Sequence, residues 1–256
     1  IYVEPFGGAA SVLMRKQRSY AEVYNDRWGT VVNVFRVMRD ETQACKLRAA
    51  LERTPFARDE FVRTYDEEGD DEVERARKTI LRSFAGFGSA AANGEYATGF
   101  RANSNRSGTT PAQDWVNYPA EVPAYIERLR GVVIENRDAL DVIAQHDTED
   151  TLHFCDPPYV HSTRNMRRGN AAYTHEMTDA DHERLAETLH GVTGMVLLSG
   201  YHSPLYDRLY ANWHRVERAA HADGAVDRVE VLWMNAQACT RLEASREQLG
   251  LFRSAS

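Results

Sequence analysis

Short apolar runs closed by turn residues recur along the chain and predict the strands of a sheet. Between most of them, apolar side chains return at helical spacing, as at Val31, Val34, Phe35 and Met38. Such alternation of strands and helices is typical of an α/β fold. An Asp223-Gly224 turn signal predicts that the last two strands form a hairpin. The predicted strands are residues 1–6, 21–24, 132–135, 151–155, 195–199, 213–219 and 229–233.

The pattern changes from about Pro55, and residues 83–115 have little apolar periodicity and much Gly, Ser, Ala and Asn. So long an irregular segment inside a compact domain is usually functional or disordered. Order returns at Pro119, where a helix is predicted. The segment contains side chains of the types that pair with guanine and adenine edges, although on composition alone a solvated flexible loop is the better explanation. These side chains are Arg101, Asn103, Asn105 and Arg106.

Composition narrows the class of protein. A chain of 256 residues fits one large α/β domain or a domain with an insertion. No apolar run approaches a membrane span, and the sequence does not open with a signal peptide, although we expect residues to precede Ile1. The three cysteines are far apart with no CxxC pair, which argues against a zinc site and fits a reducing cytoplasm. The net charge of -7 gives no general attraction to nucleic acid, but one face can still be basic.

The tetrapeptide Asp156-Pro157-Pro158-Tyr159 directly follows the apolar run 151–155. Proline has no N–H to donate, so the strand must end here, and the two prolines leave carbonyls that no neighbouring strand easily uses. A carboxylate, carbonyls and an aromatic ring therefore meet at the carboxyl end of a strand, where ligands bind in open α/β sheets. An ordinary proline turn is the alternative. We interpret Cys155 as a buried structural thiol.

Small residues follow the first strand at Gly7-Gly8, where a ligand can approach the backbone and the N–H groups of the next helix. Close packing of that helix on the strand is the alternative. Asp26 ends the second strand, the position of an acid that holds a ribose, or of an Asx cap. Asp138 follows a third strand and either caps a helix or accepts a hydrogen bond from a ligand.

A cationic stretch without acids follows the tetrapeptide. It is either a solvated loop or, next to a reaction centre, a contact for phosphates. Its arginines are Arg164, Arg167 and Arg168.

The order of motifs along the chain resembles that of the alpha group of N6-adenine DNA methyltransferases. The motifs are Glu4-Pro5-Phe6-Gly7-Gly8, Asp26, a long insertion and Asp156-Pro157-Pro158-Tyr159. The likeness is greatest to the DNA adenine methylase branch of bacteria and phages, and it covers nearly the whole chain. Two departures stand out. Ala10 occupies the place of a family glycine, where a methyl group is tolerated unless φ is positive, and a lysine-containing segment that precedes the first strand in the family is absent from this sequence. Shorter stretches that share the likeness are residues 98–103, 134–138, 173–177 and 229–233.

The resemblance implies a Rossmann-like, mixed sheet flanked by helices, with a mostly helical and loop insertion for target recognition. It divides the chain into residues 1–56 for binding S-adenosylmethionine (SAM), 57–130 for DNA recognition, 131–250 for catalysis within the same α/β domain, and a tail at 251–256. Asp156 and the Pro157 carbonyl would grip the amino group of a flipped adenine, Pro158 and Tyr159 would complete the catalytic set, and Tyr159 would stack on the base. The implied cofactor contacts are Glu4, Pro5, Phe6, Gly7, Gly8, Asp26, Asp138 and Asp156, and the implied DNA contacts are the seven Arg and Asn side chains named above.

The resemblance further implies SAM as cofactor, double-stranded DNA as partner, no metal and no membrane, and a location on DNA in the cytoplasm of a bacterium or a phage-infected host. No nuclease pattern is visible, so any restriction endonuclease would be a separate protein, and the oligomeric state stays open. The alternative functions are methylation of adenine in RNA, of cytosine N4 in DNA or of a glutamine in a protein. Cytosine enzymes usually have Ser in place of Asp156, and glutamine enzymes usually have Asn. A catalytically silent DNA-binding or regulatory module is the rival from another class.

Overall fold

In the computed structural model, which describes residues 1–66, 68–87, 98–102, 109–163, 176–222 and 226–254, a seven-stranded sheet organises the chain. The apolar runs form its strands, and the first is shorter than predicted because Pro5 has no N–H for the ladder. The strands are β1 Tyr2–Glu4, β2 Glu22–Asn25, β3 Val132–Glu135, β4 Leu152–Cys155, β5 Met195–Tyr201, β6 His214–Ala222 and β7 Val226–Met234.

The strand order is β3-β2-β1-β4-β5-β7-β6. The first five of these strands are parallel, whereas β7 is antiparallel to both β5 and β6. The order reverses between β1 and β4, which pair with each other, so their carboxyl ends form the switch point where open α/β sheets bind ligands. The predicted mixed α/β fold is therefore confirmed.

Helices cover both faces of the sheet, and their starts carry local capping signals. The Asp71, Thr110 and Ser203 side chains each accept a backbone N–H at a helix start, and Thr178 forms a capping box with Asp181. The helices are α1 Ser11–Arg15, α2 Gly29–Arg39, α3 Glu41–Arg53, α4 Arg58–Arg63, α5 Glu72–Ala85, α6 Pro111–Leu129, α7 Ala139–His146, α8 Asp179–Gly191, α9 Pro204–Leu209 and α10 Ala236–Ser254.

Within its described residues, the connection between β2 and β3 contains the helices α3 to α6 beyond the crossover helix α2. Their apolar side chains join the same buried cluster as α1 and α2. Polar contacts add to this packing: the Trp115 indole donates to the Thr54 carbonyl at 2.8 Å, and Arg128 donates to both carboxylate oxygens of Glu22 at 2.6 and 2.9 Å. The helices of this connection are thus fixed to one another and to β2.

Three helix boundaries differ from the sequence-based prediction. Helix α6 begins at Pro111, not near Pro119, and the missed signal is Thr110-Pro111, a capping side chain followed by a proline at the first helical position. Helix α5 continues to Ala85, so the irregular segment is shorter at both ends than residues 83–115. Helix α10 extends to Ser254, into the segment interpreted as a tail.

Candidate active site

The turn after β1 depends on two glycines for different reasons. A Cβ on Gly7 would lie 2.1 Å from the ring of Tyr24, so this position has no room for a side chain. Gly8 has open space around it but a φ of 47°, a backbone conformation that glycine adopts without strain. Backbone conformation, and not lack of space, therefore favours glycine at this position. Ala10 has a φ of 52°, and a positive φ is unfavourable for a residue with a Cβ. The alanine that stands in place of the family glycine is therefore strained.

Two residues at the end of β2 hold the turn. The buried Asn25 side chain donates to the Pro5 carbonyl at 2.8 Å and accepts from the Arg137 N–H at 2.9 Å, which joins the ends of three strands. Asp26 accepts from the Gly8 N–H at 2.8 Å through one oxygen and from the Trp28 N–H at 2.7 Å through the other. Asp26 thus forms an Asx turn before α2, but the N-cap of that helix is Trp28 and no side chain caps it, so the helix-cap interpretation of Asp26 is wrong. The Asp26 carboxylate lines the cavity described below.

Glu4 is a buried carboxyl at the end of β1, with only 2% of its surface exposed. One of its oxygens accepts from the Leu13 N–H of α1 at 3.3 Å. Burial raises the pKa of Glu4 to about 7, although the Leu13 N–H and the neighbouring Tyr2 hydroxyl oppose the rise and Asp156 adds to it. Glu4 therefore titrates near neutral pH.

Asp156 stands at the carboxyl end of β4 and faces the cavity. Its Oδ1 accepts from the Ser199 hydroxyl at 2.5 Å. Asp156 keeps an exposed surface, but desolvation by the surrounding protein raises the pKa of its carboxyl, while hydrogen bonds from Ser199 and Tyr159 lower it. Cys155 just before it is fully buried and burial raises the pKa of its thiol, which confirms its interpretation as a structural residue.

The rest of the tetrapeptide divides between the cavity and the protein interior. Pro158 lines the cavity, and Pro157 is buried. The Tyr159 ring packs edge-to-face against the Tyr201 ring, with centroids 4.6 Å apart and an interplanar angle of 67°. Tyr159 is thus supported by β5.

A cavity of about 1030 Å³ opens at the carboxyl edge of β1, β2 and β4. It brings together most of the residues predicted from the sequence, and Arg101 of the insertion reaches the same cavity. Asp138 also caps α7 by accepting from the Leu140 N–H at 2.9 Å, so the cap interpretation is confirmed. The predicted residues that line the cavity are Glu4, Pro5, Phe6, Gly7, Gly8, Asp26, Arg101, Asp138, Asp156 and Pro158.

Further residues line the cavity that the sequence did not single out. Phe154 lies two positions before Asp156, so the period of two along a strand would have placed both on one face. Phe84, Tyr118 and Tyr125 come from α5 and α6, and only the packing of these helices against α2 brings them here. Their aromatic rings give the cavity an apolar wall opposite its carboxylates.

The predicted residues that lie outside the described part of the chain are Asn103, Asn105, Arg106, Arg164, Arg167 and Arg168. Among the described residues, no group of three or more His, Cys, Asp or Glu side chains is arranged to hold a metal ion. No helix in that part of the chain has the length and apolarity that a membrane span requires.

A family model, the D12 class N6 adenine-specific DNA methyltransferase, matches residues 1–222, which include every strand from β1 to β6 and the whole cavity edge. A comparison with curated protein sequences found no significant match. The family match agrees with the sheet order, with the glycine turn after β1 and with the Asp-Pro-Pro-Tyr sequence after β4. The chain belongs to the D12 class of N6 adenine-specific DNA methyltransferases, which are SAM-dependent enzymes.

Proposed function

We propose that this protein transfers a methyl group from SAM to N6 of an adenine that is flipped out of duplex DNA. One observation carries the proposal: the carboxylate of Asp156, after β4, faces the same cavity as the glycine turn after β1. A methyl donor on the turn and an amino group at the carboxylate would therefore be neighbours. Holding two reactants in one orientation supplies a large part of the rate in such a transfer.

The cavity has the chemistry that SAM requires. The ligand is cationic and carries ribose hydroxyls, and six carboxyl side chains line the cavity: Glu4, Asp26, Asp138, Asp156, Glu176 and Asp181. Gly8, with open space around it, allows a close approach to the backbone. We assign Asp26 to the ribose hydroxyls and Asp138 to the adenine of the cofactor, while Pro5 and Phe6 complete the wall.

The amino group of adenine is a poor nucleophile because its lone pair is delocalised into the ring. Asp156 would accept one N–H and the Pro157 carbonyl the other, so that the lone pair turns out of the ring plane. SAM supplies an electrophilic methyl group on a positively charged sulfur. As the new N–C bond forms and the S–C bond breaks, positive charge moves to N6, where the carboxylate stabilises it until the proton leaves. Tyr159 would stack on the base.

The target nitrogen lies inside the duplex, so the base must leave the stack to reach this cavity. We assign residues 57–130 to target recognition and residues 1–56 and 131–250 to the α/β domain that holds cofactor and base, with 251–256 as a tail. Arg101 is the DNA-contact candidate that the described residues contain, and it lines the cavity. We propose that the protein acts on DNA in the cytoplasm. Its other proposed DNA contacts are Asn103, Asn105, Arg106, Arg164, Arg167 and Arg168.

The decisive substitution is Asp156→Ala. It should abolish methyl transfer from labelled SAM to duplex DNA, while binding of SAM or of DNA persists in part, because other residues supply those contacts. Asp150→Ala is the matched control, since this exposed acid ion-pairs with Arg241 at the opposite edge of the sheet. Unchanged turnover in Asp156→Ala would rule the mechanism out.

Parallel acceptors separate the rival functions. Labelled SAM is incubated with duplex DNA, RNA and protein, and the methylated nucleosides of the DNA are identified by mass spectrometry. The proposal predicts N6-methyladenine in DNA. Label in RNA or protein, or as N4-methylcytosine, would replace it with one of the other acceptors, and binding of DNA without label would indicate a silent module.

A further inference from the structure

Strand β5 continues past the end of its neighbour β4. The last backbone pair between them is Cys155 with Leu198, and β5 runs on to Tyr201. The three extra residues of β5 therefore lie beside the Asp-Pro-Pro-Tyr loop. Ser199 and Tyr201 are two positions apart, on the same half-buried face of the strand.

Both of these side chains contact the loop. The Ser199 hydroxyl lies 2.5 Å from Oδ1 of Asp156 and 3.3 Å from the Cys155 carbonyl. A hydroxyl has one proton to donate, and the shorter distance assigns it to the carboxylate. The Tyr201 ring meets the Tyr159 ring edge-to-face at 4.6 Å. One strand face thus holds the first and the last residue of the tetrapeptide.

Strand β7 and an aromatic cluster hold residues 199–201 of β5 in place. Ser199, Gly200 and Tyr201 pair in register with Leu232, Val231 and Glu230 of the antiparallel strand β7. A Cβ on Gly200 would lie 3.2 Å from the Tyr206 ring and 3.3 Å from the Trp233 ring, so the opposite face of the strand is packed closely on an aromatic cluster. The three extra residues of β5 therefore do not depend on β4 for their position.

We propose that Ser199 and Tyr201 are positioning residues for methyl transfer, Ser199 by fixing the carboxylate of Asp156 and Tyr201 by bracing the ring of Tyr159. The inference rests on the proposed function and adds two residues to it that touch neither substrate nor cofactor. Without Ser199 the carboxylate gains rotational freedom and meets the amino group less often in the reactive orientation.

Protonation gives an independent reason to expect an effect. The hydrogen bond from Ser199 lowers the pKa of Asp156 and so opposes the rise that burial causes. A carboxyl group with a higher pKa is already protonated, and so neutral, at a higher pH. A neutral Asp156 accepts a hydrogen bond from the amino group poorly. Loss of the Ser199 hydroxyl should therefore move the acidic limb of the pH–rate profile to higher pH.

The test compares Ser199→Ala, Ser199→Thr and the control Ser245→Ala, whose exposed hydroxyl bonds to the Arg241 carbonyl on α10. We expect kcat of Ser199→Ala to fall by about tenfold to a hundredfold, the range for a lost hydrogen bond to a charged group. KM for SAM and for DNA should stay within about twofold of the wild-type values, because Asp156 and Tyr159 are still present and keep their contacts with the bound ground state. Ser199→Thr should recover most of the rate.

A second measurement reads the hydrogen bond without any turnover. Titration of carbon-13-labelled aspartate carboxyls, with Asp156→Asn to identify the signal, should show a higher pKa for Asp156 in Ser199→Ala than in the wild type. If wild-type protein methylates no acceptor but the signal shifts, the proposed function fails and the contact stands. Wild-type kcat together with an unshifted signal in Ser199→Ala would overturn the inference about Ser199.

Tyr201 is tested by Tyr201→Phe and Tyr201→Leu. The phenylalanine keeps the ring edge and should leave kcat within about threefold, whereas leucine removes the aromatic contact and should lower kcat by about threefold to tenfold, the worth of one aromatic pair. Equal rates for the phenylalanine and leucine variants would remove Tyr201 from the proposal. Thermal unfolding of each variant identifies any loss that comes from the fold.

Discussion

At the scale of single residues, the glycine turn shows that adjacent positions of one motif can be constrained by unrelated forces. Gly7 is required by space, because the Tyr24 ring occupies the volume of a side chain, and the Tyr24 hydroxyl is fixed by a bond of 2.7 Å to the Gly8 carbonyl. Gly8 is required by its positive φ alone. Ala10 has the same kind of backbone and tolerates it as alanine.

This difference gives a paired prediction. Gly7→Ala should lower the free energy of unfolding by about 3 kcal/mol, because the new methyl group overpacks a core and displaces a hydrogen-bonded ring. Gly8→Ala should cost only about 1 kcal/mol, the price of a left-handed backbone for alanine. Urea denaturation of both variants measures the two values. Equal losses would mean that space around Tyr24 is not what constrains Gly7.

At the scale of elements, an ion pair fixes the last turn of α6 to β2. The side chains of Arg128 and Glu22 are only 13% and 3% exposed, and Lys16 joins the same carboxylate. Burial would raise the pKa of Glu22, but the hydrogen bonds from Arg128 and Lys16 outweigh it and hold the pKa at about 2. Helix α6 is therefore tied to the first residue of β2, the strand that Asp26 follows.

Arg128→Ala should lower the free energy of unfolding by about 3 kcal/mol at neutral pH, because a buried carboxylate loses its principal partner. Arg130→Ala is the matched control, since its pair with Glu127 is exposed and contributes less than about 0.5 kcal/mol. The folded pKa of Glu22 lies below the unfolded value of 4.5, so its contribution is present above pH 4.5 and is lost toward pH 2.

Denaturation at several pH values checks this sign. The difference between the wild type and Arg128→Ala should shrink as the pH falls from 4.5 toward 2. A difference that is constant across this range would show that the packing of the arginine stem, and not the ion pair, holds α6 in place.

At the scale of the whole molecule, an acidic protein has to bind a polyanion. With 38 acidic and 31 basic residues, net charge opposes association with DNA, and we propose that arginines at the cavity edge supply the attraction. Asp150 and Arg241 form an ion pair at the other edge of the sheet. The distribution of charge therefore matters more than its sum.

Raising salt from about 50 to 200 mM should weaken DNA affinity steeply, because each phosphate contact releases a counterion and contributes about −0.9 to the slope of log K against log salt. Arg101→Ala should make this slope less steep by about one unit. Arg241→Ala removes the same charge at the far edge and should leave the slope unchanged. Fluorescence anisotropy with labelled duplex DNA measures the slopes, and a flat response in the wild type would contradict a basic DNA-binding face.

Much of the architecture was predictable because its signals are local. The strands, the hairpin of β6 and β7, the helix cap at Asp138 and the burial of Cys155 all follow from short stretches of sequence. The start of α6 was missed although Thr110-Pro111 is a local signal, because Pro119 and Pro123 inside the helix read as breaks. Packing of α6 on α3 and α5 outweighs the hydrogen bonds that these prolines remove.

The sequence by itself determined the α/β class and the chemistry at the ends of β1, β2 and β4, because strand length, proline and glycine act on their immediate neighbours. Only the tertiary structure decided that Ser199 lies beside Asp156, that Tyr201 lies against Tyr159 and that Arg128 reaches Glu22. These contacts join residues more than 40 positions apart, and their geometry depends on the register between strands and on helix packing, which no local pattern encodes.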